Sequence, residues 1–262
     1  MCYGPEPSDP VHAQGMNIWM RLNGFHWNMN RLGEEGSLAF IGPEWAASLS
    51  SPHSLYKFYA SEGGIKAPLI VSGPGVLPGA RSRALTHVTD VAPTLLELAQ
   101  APLHPEMGDV EIAGQSLASI LRDGAPGVRG PDDVIGTEVS GNAALFQGAH
   151  KIVRNMPPMG DGRWRLYNLE RDPGETRDLA QADPQRLSAM VAAYEAYAAD
   201  NGVLALPPGY QVERQVLHNG LARQLWYNTP WLVLLTLSAL CTVAFAWARR
   251  ARRARKETSA DA

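Results

Sequence analysis

The sequence predicts an α/β chain whose C-terminal part is an antiparallel α+β subdomain, followed by one transmembrane helix. Three observations predict it. A compact apolar run, Ala67 to Val71, sits between glycines and is followed by an amphipathic helical pattern. Three strand-like segments then precede one long amphipathic helix, which describes a small α+β unit. Finally, Trp231 to Ala248 holds eighteen residues without a charge.

The bulk composition sets the limits. At 262 residues, 45% apolar and 19% charged, the chain can bury a core and is not a disordered protein. Its net charge of −3 excludes a global basic field, so nucleic acid is not an expected partner. The positive charge is local, with six Lys or Arg in the last fourteen residues. Only Cys2 and Cys241 are present, one at the extreme N-terminus and one inside the apolar run, and no disulfide between them is expected.

The elements follow in order. Residues 1–30 are polar, hold Pro and Gly, show no sustained period and read as irregular. Ser51 and Pro52 form an N-cap and first-turn pair for a helix through HSLYKFYASE, closed by Gly63 and Gly64. Ala67 to Val71 is the candidate central strand, bounded by Gly73 and Pro74. Thr89 or Asp90 caps a helix with Val91, Leu95, Leu98 and Ala99 on one face, expected to lie against the sheet. A short helix over Gln115 to Arg122 ends at Gly124. The segments VIGTEV, AALFQGAHKIVRN with Gln147-Gly148 at its centre, and WRLYNL read as consecutive antiparallel strands. Asp183-Pro184 caps a helix carrying Leu187, Met190, Val191, Tyr194, Tyr197 and Ala198 on one face and ending at Asn201-Gly202. Val203 to Gln224 reads as an extended linker.

The run Trp231 to Ala248 spans roughly 27 Å as a helix, against a hydrocarbon core of about 30 Å. Trp226, Tyr227, Trp231 and Trp247 stand where aromatic rings favour the headgroup level, and Pro230 fits a first helical turn. Arg249, Arg250, Arg252, Arg253, Arg255 and Lys256 follow at once and predict a cytoplasmic tail, hence an extracytoplasmic globular part and a lipid bilayer as partner. Residues 1–30 hold no basic segment followed by an apolar one of the kind that directs export, so the sequence reads as a start inside a longer gene.

Three stretches in this order resemble the sulfatase family. SLYKFYASEGGIKAPLIVSGPGV, Ser54 to Val76, is similar to the segment in which a lysine-bearing helix leads through two glycines into a strand. HVTDVAPTLLELAQ resembles the helix after that strand, and WRLYNLERDPGETRDLA, Trp164 to Ala180, resembles the signature of the C-terminal subdomain. The likeness runs from about Arg31 to Leu206 and implies an alkaline-phosphatase-like fold, of which this chain carries the C-terminal part. The domains are then 1–30 irregular, 31–131 the C-terminal part of the sulfatase α/β domain, 132–206 the C-terminal subdomain, 207–229 linker, 230–248 transmembrane helix and 249–262 basic tail.

The resemblance also implies arylsulfatase-type hydrolysis of a sulfate ester by a formylglycine nucleophile with calcium. The family motif for formylglycine, Cys or Ser, any residue, Pro or Ala, any residue, Arg, is matched by neither Cys2 nor Cys241, and the calcium carboxylates are expected to precede this region. The chain is therefore expected to bind neither and to be inactive alone, as the C-terminal portion of a membrane-anchored hydrolase. Two alternatives stay open: a noncatalytic membrane-anchored module, and another alkaline-phosphatase-like phosphoester hydrolase. Asp200-Asn201-Gly202 repeats the letters of the family's calcium-binding tripeptide but ends an amphipathic helix, so it reads as a left-handed cap.

Lys57 is the one position to which the resemblance carries a catalytic and substrate-binding role. It occupies the lysine of Leu-Tyr-Lys, whose ammonium contacts the sulfate in the family. A fixed cation stabilises the charge that builds on sulfate oxygens as the ester breaks. Lys66 answers to a basic position without sulfate contact. His53 reads as a first-turn surface residue, His87 as a structural histidine before a helix, Trp45 as pocket or core, and the adjacent Glu34-Glu35 as no dyad.

Overall fold

The computed structural model describes residues 18–26, 28–38, 42–101, 112–210 and 212–258. Cys2 and most of the polar N-terminal stretch lie outside the described residues. Two compact units divide at Leu206 and Pro207.

The first unit is organised around a four-stranded antiparallel meander, in the order β1 (Val134–Val139), β2 (Asn142–Gln147), β3 (His150–Arg154) and β4 (Arg165–Asn168). All three strand segments read from the sequence are present. The first hairpin turns on Ser140 and Gly141, both at positive φ (53° and 84°), which is the backbone of a turn matched to strand twist. The second turns on Gly148 and Ala149, one residue beyond the centre read from the sequence, with Gln147 paired to His150. Helix α5 (Pro184–Asp200) covers one face. Asp183 caps it by accepting the Arg186 amide at 3.0 Å, and Gly202 leaves it at φ 64°. Met190 and Tyr194 of α5 pack on Ala143, Leu145, Ile152 and Leu166, with Leu187, Val191, Tyr197 and Ala198 around them. The other face, Ala144, Val153 and Tyr167, is closed by Ala60. With both faces covered, β2 is buried from Asn142 to Phe146 and its sequence shows no alternation.

The region before the sheet departs from its reading. Helix α1 (Gly42–Ser50) ends where the expected helix was to begin. Residues 51–61 form successive turns, because Leu55 (φ 59°) and Phe58 (φ 85°) take the left-handed region that a right-handed helix cannot contain. Only one helical turn, α2 (Glu62–Ile65), follows. Ala67 to Val71 forms no strand: it runs without regular structure, and Ile70 is 90% exposed. A buried strand needs neighbours on both sides, and the described residues offer it none. With no strand there, α3 (Val91–Leu98) does not lie against a sheet at that point but beside α4 (Ala118–Asp123). Thr94 joins them, its hydroxyl accepting the Leu117 amide at 2.8 Å. Gly124 closes α4 at φ 69°, as its sequence position requires. Residues 18–22 are helical and Met29–Arg31 form a 3-10 turn inside the stretch read as irregular.

The second unit carries one long helix, α6 (Val212–Thr258), which begins within the stretch read as an extended linker, and Pro230 lies inside the helix rather than in its first turn. Within it Thr229–Trp247 is long and apolar enough to cross a membrane, and none of that window is buried against protein.

Candidate functional site

Lys57 sits within the 51–61 turns, between buried Tyr56 and half-buried Phe58. Its side chain is exposed, with Nζ 5.4 Å from the centre of the Phe58 ring. No rim of a sheet lies at Ala67 to Val71 among the described residues.

What fixes the loop is a set of long-range polar contacts to the sheet. Asn142, at the start of β2, donates from Nδ2 to the Phe58 carbonyl at 2.5 Å, and its Oδ1 accepts the Met156 amide at 2.7 Å. Asn155, just past β3, accepts the Ala60 amide on Oδ1 at 2.9 Å and donates from Nδ2 to Ser61 Oγ at 2.8 Å. His53 donates from Nδ1 to the Pro173 carbonyl at 3.0 Å. Gly63 and Gly64 are needed for a reason other than ending a helix. A Cβ at Gly63 would collide with the Leu55 carbonyl, and one at Gly64 with the Tyr59 carbonyl.

Beneath the loop lies a buried charge cluster. The Lys151 ammonium, fully buried on β3, stands 3.0 Å from Glu62 Oε1 and 2.7 Å from Glu175 Oε1, although the latter approach is poorly directed for a hydrogen bond. Phe146 lies against it, 4.9 Å from Nζ to ring centre. Glu175 Oε2 also accepts the Glu62 amide at 3.0 Å. Lys66 completes the cluster from the surface, 3.4 Å from Glu62 Oε2, which balances two carboxylates with two ammoniums. Lys66 therefore has a structural partner that its sequence position did not reveal. A buried ion needs both charge partners and hydrogen bonds to offset its desolvation, and this cluster supplies them.

A second pin lies at Asp90. Its carboxylate is fully buried and takes a two-point contact from Arg129, at 2.7 and 2.5 Å, plus the amides of His87 at 2.7 Å and Gln115 at 2.9 Å. Burial pushes its pKa up, but the hydrogen bonds from Arg129 and the two amides outweigh that and hold it below the ordinary value. His87 is the structural residue that its position suggested, capping the Val88–Asp90 turn through Thr89.

The remaining candidates do not join Lys57. Trp45 is 68% exposed, which removes the core reading for it. Glu34 pairs with Arg31 at 2.6 Å. Asp200-Asn201-Gly202 ends α5, and Cys241 stands exposed on the apolar helix. Among the described residues no group of three His, Cys, Asp or Glu side chains could hold a metal ion. Lys151, Glu62, Glu175, Asn142, Asn155 and Arg129 escaped sequence reading. The available signal was a lysine interrupting the apolar run of HKIVR, since a charge inside a covered strand demands a partner.

No family model matches the chain. By direct comparison it is 33% identical, over 196 residues and 72% of its length, to an uncharacterized sulfatase of Schizosaccharomyces pombe, of which it covers 35%. It is 31% identical over 167 residues to a sulfatase of Formosa agariphila, covering 56% of this chain and 28% of that one. A Klebsiella aerogenes arylsulfatase is 35% identical over 117 residues, covering 40% of this chain and 25% of its own length. A chain solved in connection with glycosaminoglycan metabolism by Bacteroides thetaiotaomicron aligns at TM-score 0.47 and 22% identity, over 55% of this chain and 31% of that one. The chain spans about a third or less of the length of these relatives. The three sequence relatives share one family, and this chain belongs to it: it is a member of the sulfatase family.

Proposed function

We propose that the chain is the C-terminal portion of a sulfuric ester hydrolase of arylsulfatase type with an alkaline-phosphatase-like α/β fold, anchored in a membrane by α6. Lys57 is its contact to the substrate sulfate. The observation that carries this reading is the loop itself: two non-glycine residues in left-handed backbone stand on either side of Lys57, and part-buried polar contacts to the sheet hold the backbone that presents its exposed side chain. The substrate is a sulfate ester, for which a cation fixed on a rigid loop lowers the energy of charge building on the sulfate oxygens.

Calcium and formylglycine, which the family implies, do not fit this chain. The described residues hold no cluster of donors for the ion, and the sequence holds no nucleophile motif. Both belong to other polypeptide in an active assembly, and the role left to this chain is to present Lys57. The exposure of Lys57, with no enclosing cavity among the described residues, also suits a noncatalytic sulfatase-like module. A phosphoester hydrolase has no observation of its own here.

The length and composition of Thr229–Trp247 support anchoring, and the six basic residues after it support an inside tail with the globular unit outside the cytoplasm. The purified chain alone is expected not to turn over a chromogenic aryl sulfate. In an active assembly containing it, Lys57→Ala should lower turnover on the order of a hundredfold or more. Its urea midpoint should barely move, because the side chain is exposed. Lys57→Ala at parental rate would leave the noncatalytic module as the better reading.

A further inference from the structure

The two asparagines that reach the Lys57 loop come from one place in the sheet. Ala143 pairs with Arg154 across β2 and β3, so Asn142 and Asn155 are the next cross-strand neighbours, at the same end of the hairpin. Their amides reach the Phe58 carbonyl, the Ala60 amide and the Ser61 hydroxyl, one, three and four residues after Lys57. Leu55 and Phe58 on either side of it hold left-handed backbone, which persists only where the surroundings over-determine it. Both asparagines present a donor and an acceptor, and each uses both. An apolar residue of similar size would pack there equally well but leave buried backbone groups without partners.

From this juxtaposition we infer that the β2–β3 end is a platform for the loop, with Asn142 and Asn155 as positioning residues for Lys57. The inference rests on the proposed role of Lys57 for its functional meaning, and on the contacts alone for its structural meaning. Lys151 and Glu175 then hold Glu62, just after the loop, while the asparagines hold residues 58–61 of the loop itself. The C-terminal subdomain thereby acts on the proposed reaction without touching substrate.

The test separates the two meanings. In the purified chain, hydrogen exchange at the Ala60 amide should speed about tenfold in Asn155→Ala, since one buried hydrogen bond is lost. Amides of β2, β3 and α5 should keep parental rates. Asn155→Asp should restore slow exchange, because its carboxylate still accepts the Ala60 amide and can take a hydrogen bond from the Ser61 hydroxyl. Unchanged exchange at Ala60 in Asn155→Ala, or equal acceleration throughout the sheet, overturns the platform. In an active assembly, Asn142→Ala and Asn155→Ala should lower kcat more than they change KM, with Asn155→Asp near the parent. A loosened loop with parental kcat would overturn the positioning role and, if Lys57→Ala were also silent, the proposed role of Lys57 with it. A loosened loop with parental kcat while Lys57→Ala is slow would overturn the positioning role alone.

Discussion

The sheet with α5, residues 134–200, and the segment from Gly42 to Gln100 are of comparable apolar character but fold in different ways. In the first, each strand pairs with its neighbour in sequence, the connections are two-residue turns or a single loop, and one helix covers the face. In the second, helices are short, Ala67 to Val71 pairs with no strand among the described residues, and Leu69, Ile70, Val88 and Leu95 are exposed. The difference is one of range. A meander closes its hydrogen bonds locally, while a strand meant for a parallel sheet depends on partners far away in sequence. Beside the asparagine contacts at residues 58–61, two ionic points hold the second segment, the Glu62–Lys151–Glu175 cluster and the Asp90–Arg129 pair.

The largest expected effect comes from cutting the first of these. Lys151→Ala leaves Glu175 buried without an ammonium and Glu62 with Lys66 alone, and should destabilise the first unit by about 3–5 kcal/mol. Equilibrium urea unfolding followed by tryptophan fluorescence reads it, Trp164 being packed on Tyr194 in the sheet core. A loss below roughly 1 kcal/mol, the range of a surface ion pair, would mean that the cluster is solvated and the two regions are not joined there.

The second point carries a pH dependence. The Asp90 carboxyl lies below 3.8 when folded and near 3.8 when unfolded, so the unfolded chain takes up the proton first as pH falls. Its contribution is therefore complete above pH 3.8 and is lost as pH drops through the lower, folded value. Asp90→Asn should be less stable than the parent at neutral pH, with the gap narrowing in acid. A gap that stays constant from neutral pH into that range would show that the charge of Asp90 contributes nothing. At the small end, Ile70→Thr should shift the urea midpoint by less than about 0.5 kcal/mol equivalent, because Ile70 already faces solvent.

These regions also mark how far the sequence could be read. The sheet was legible because hydrophobic runs, turn residues and the Asp183-Pro184 cap all act within a few residues. The 51–61 turns were not, since Ser51-Pro52 and the spacing of Leu55, Tyr56 and Tyr59 carry the local signals of a helix. Long-range contacts from Asn142 and Asn155, together with the Gly63 amide donating to the Ser54 carbonyl, help hold the loop whose positive φ at Leu55 and Phe58 breaks that helix. Helix α6 was legible as an apolar span, but its start at Val212 was missed, although Leu217, Leu221 and Leu225 recur there at helical spacing in an otherwise polar stretch. Lys57 was found by resemblance, whereas the one local hint at Lys151, a lysine in the strand segment HKIVR, names no partner. A lysine pairs with carboxylates at positions 62 and 175 only after the loops have closed on the sheet.

Limited trypsin digestion of the intact chain sets the two regions against each other most directly. Lys66, Arg81 and Arg83 flank or lie within the unpaired segment and are exposed, while Lys151 and Arg154 lie on β3. Cleavage tracks the free energy of local opening, so the bonds after Lys66, Arg81 and Arg83 should be cut first, leaving a resistant fragment that contains β1 through α5. Cleavage after Lys151 and Arg154 at the same rate as after Lys66 would contradict the account, for the sheet would then open as readily as the unpaired segment.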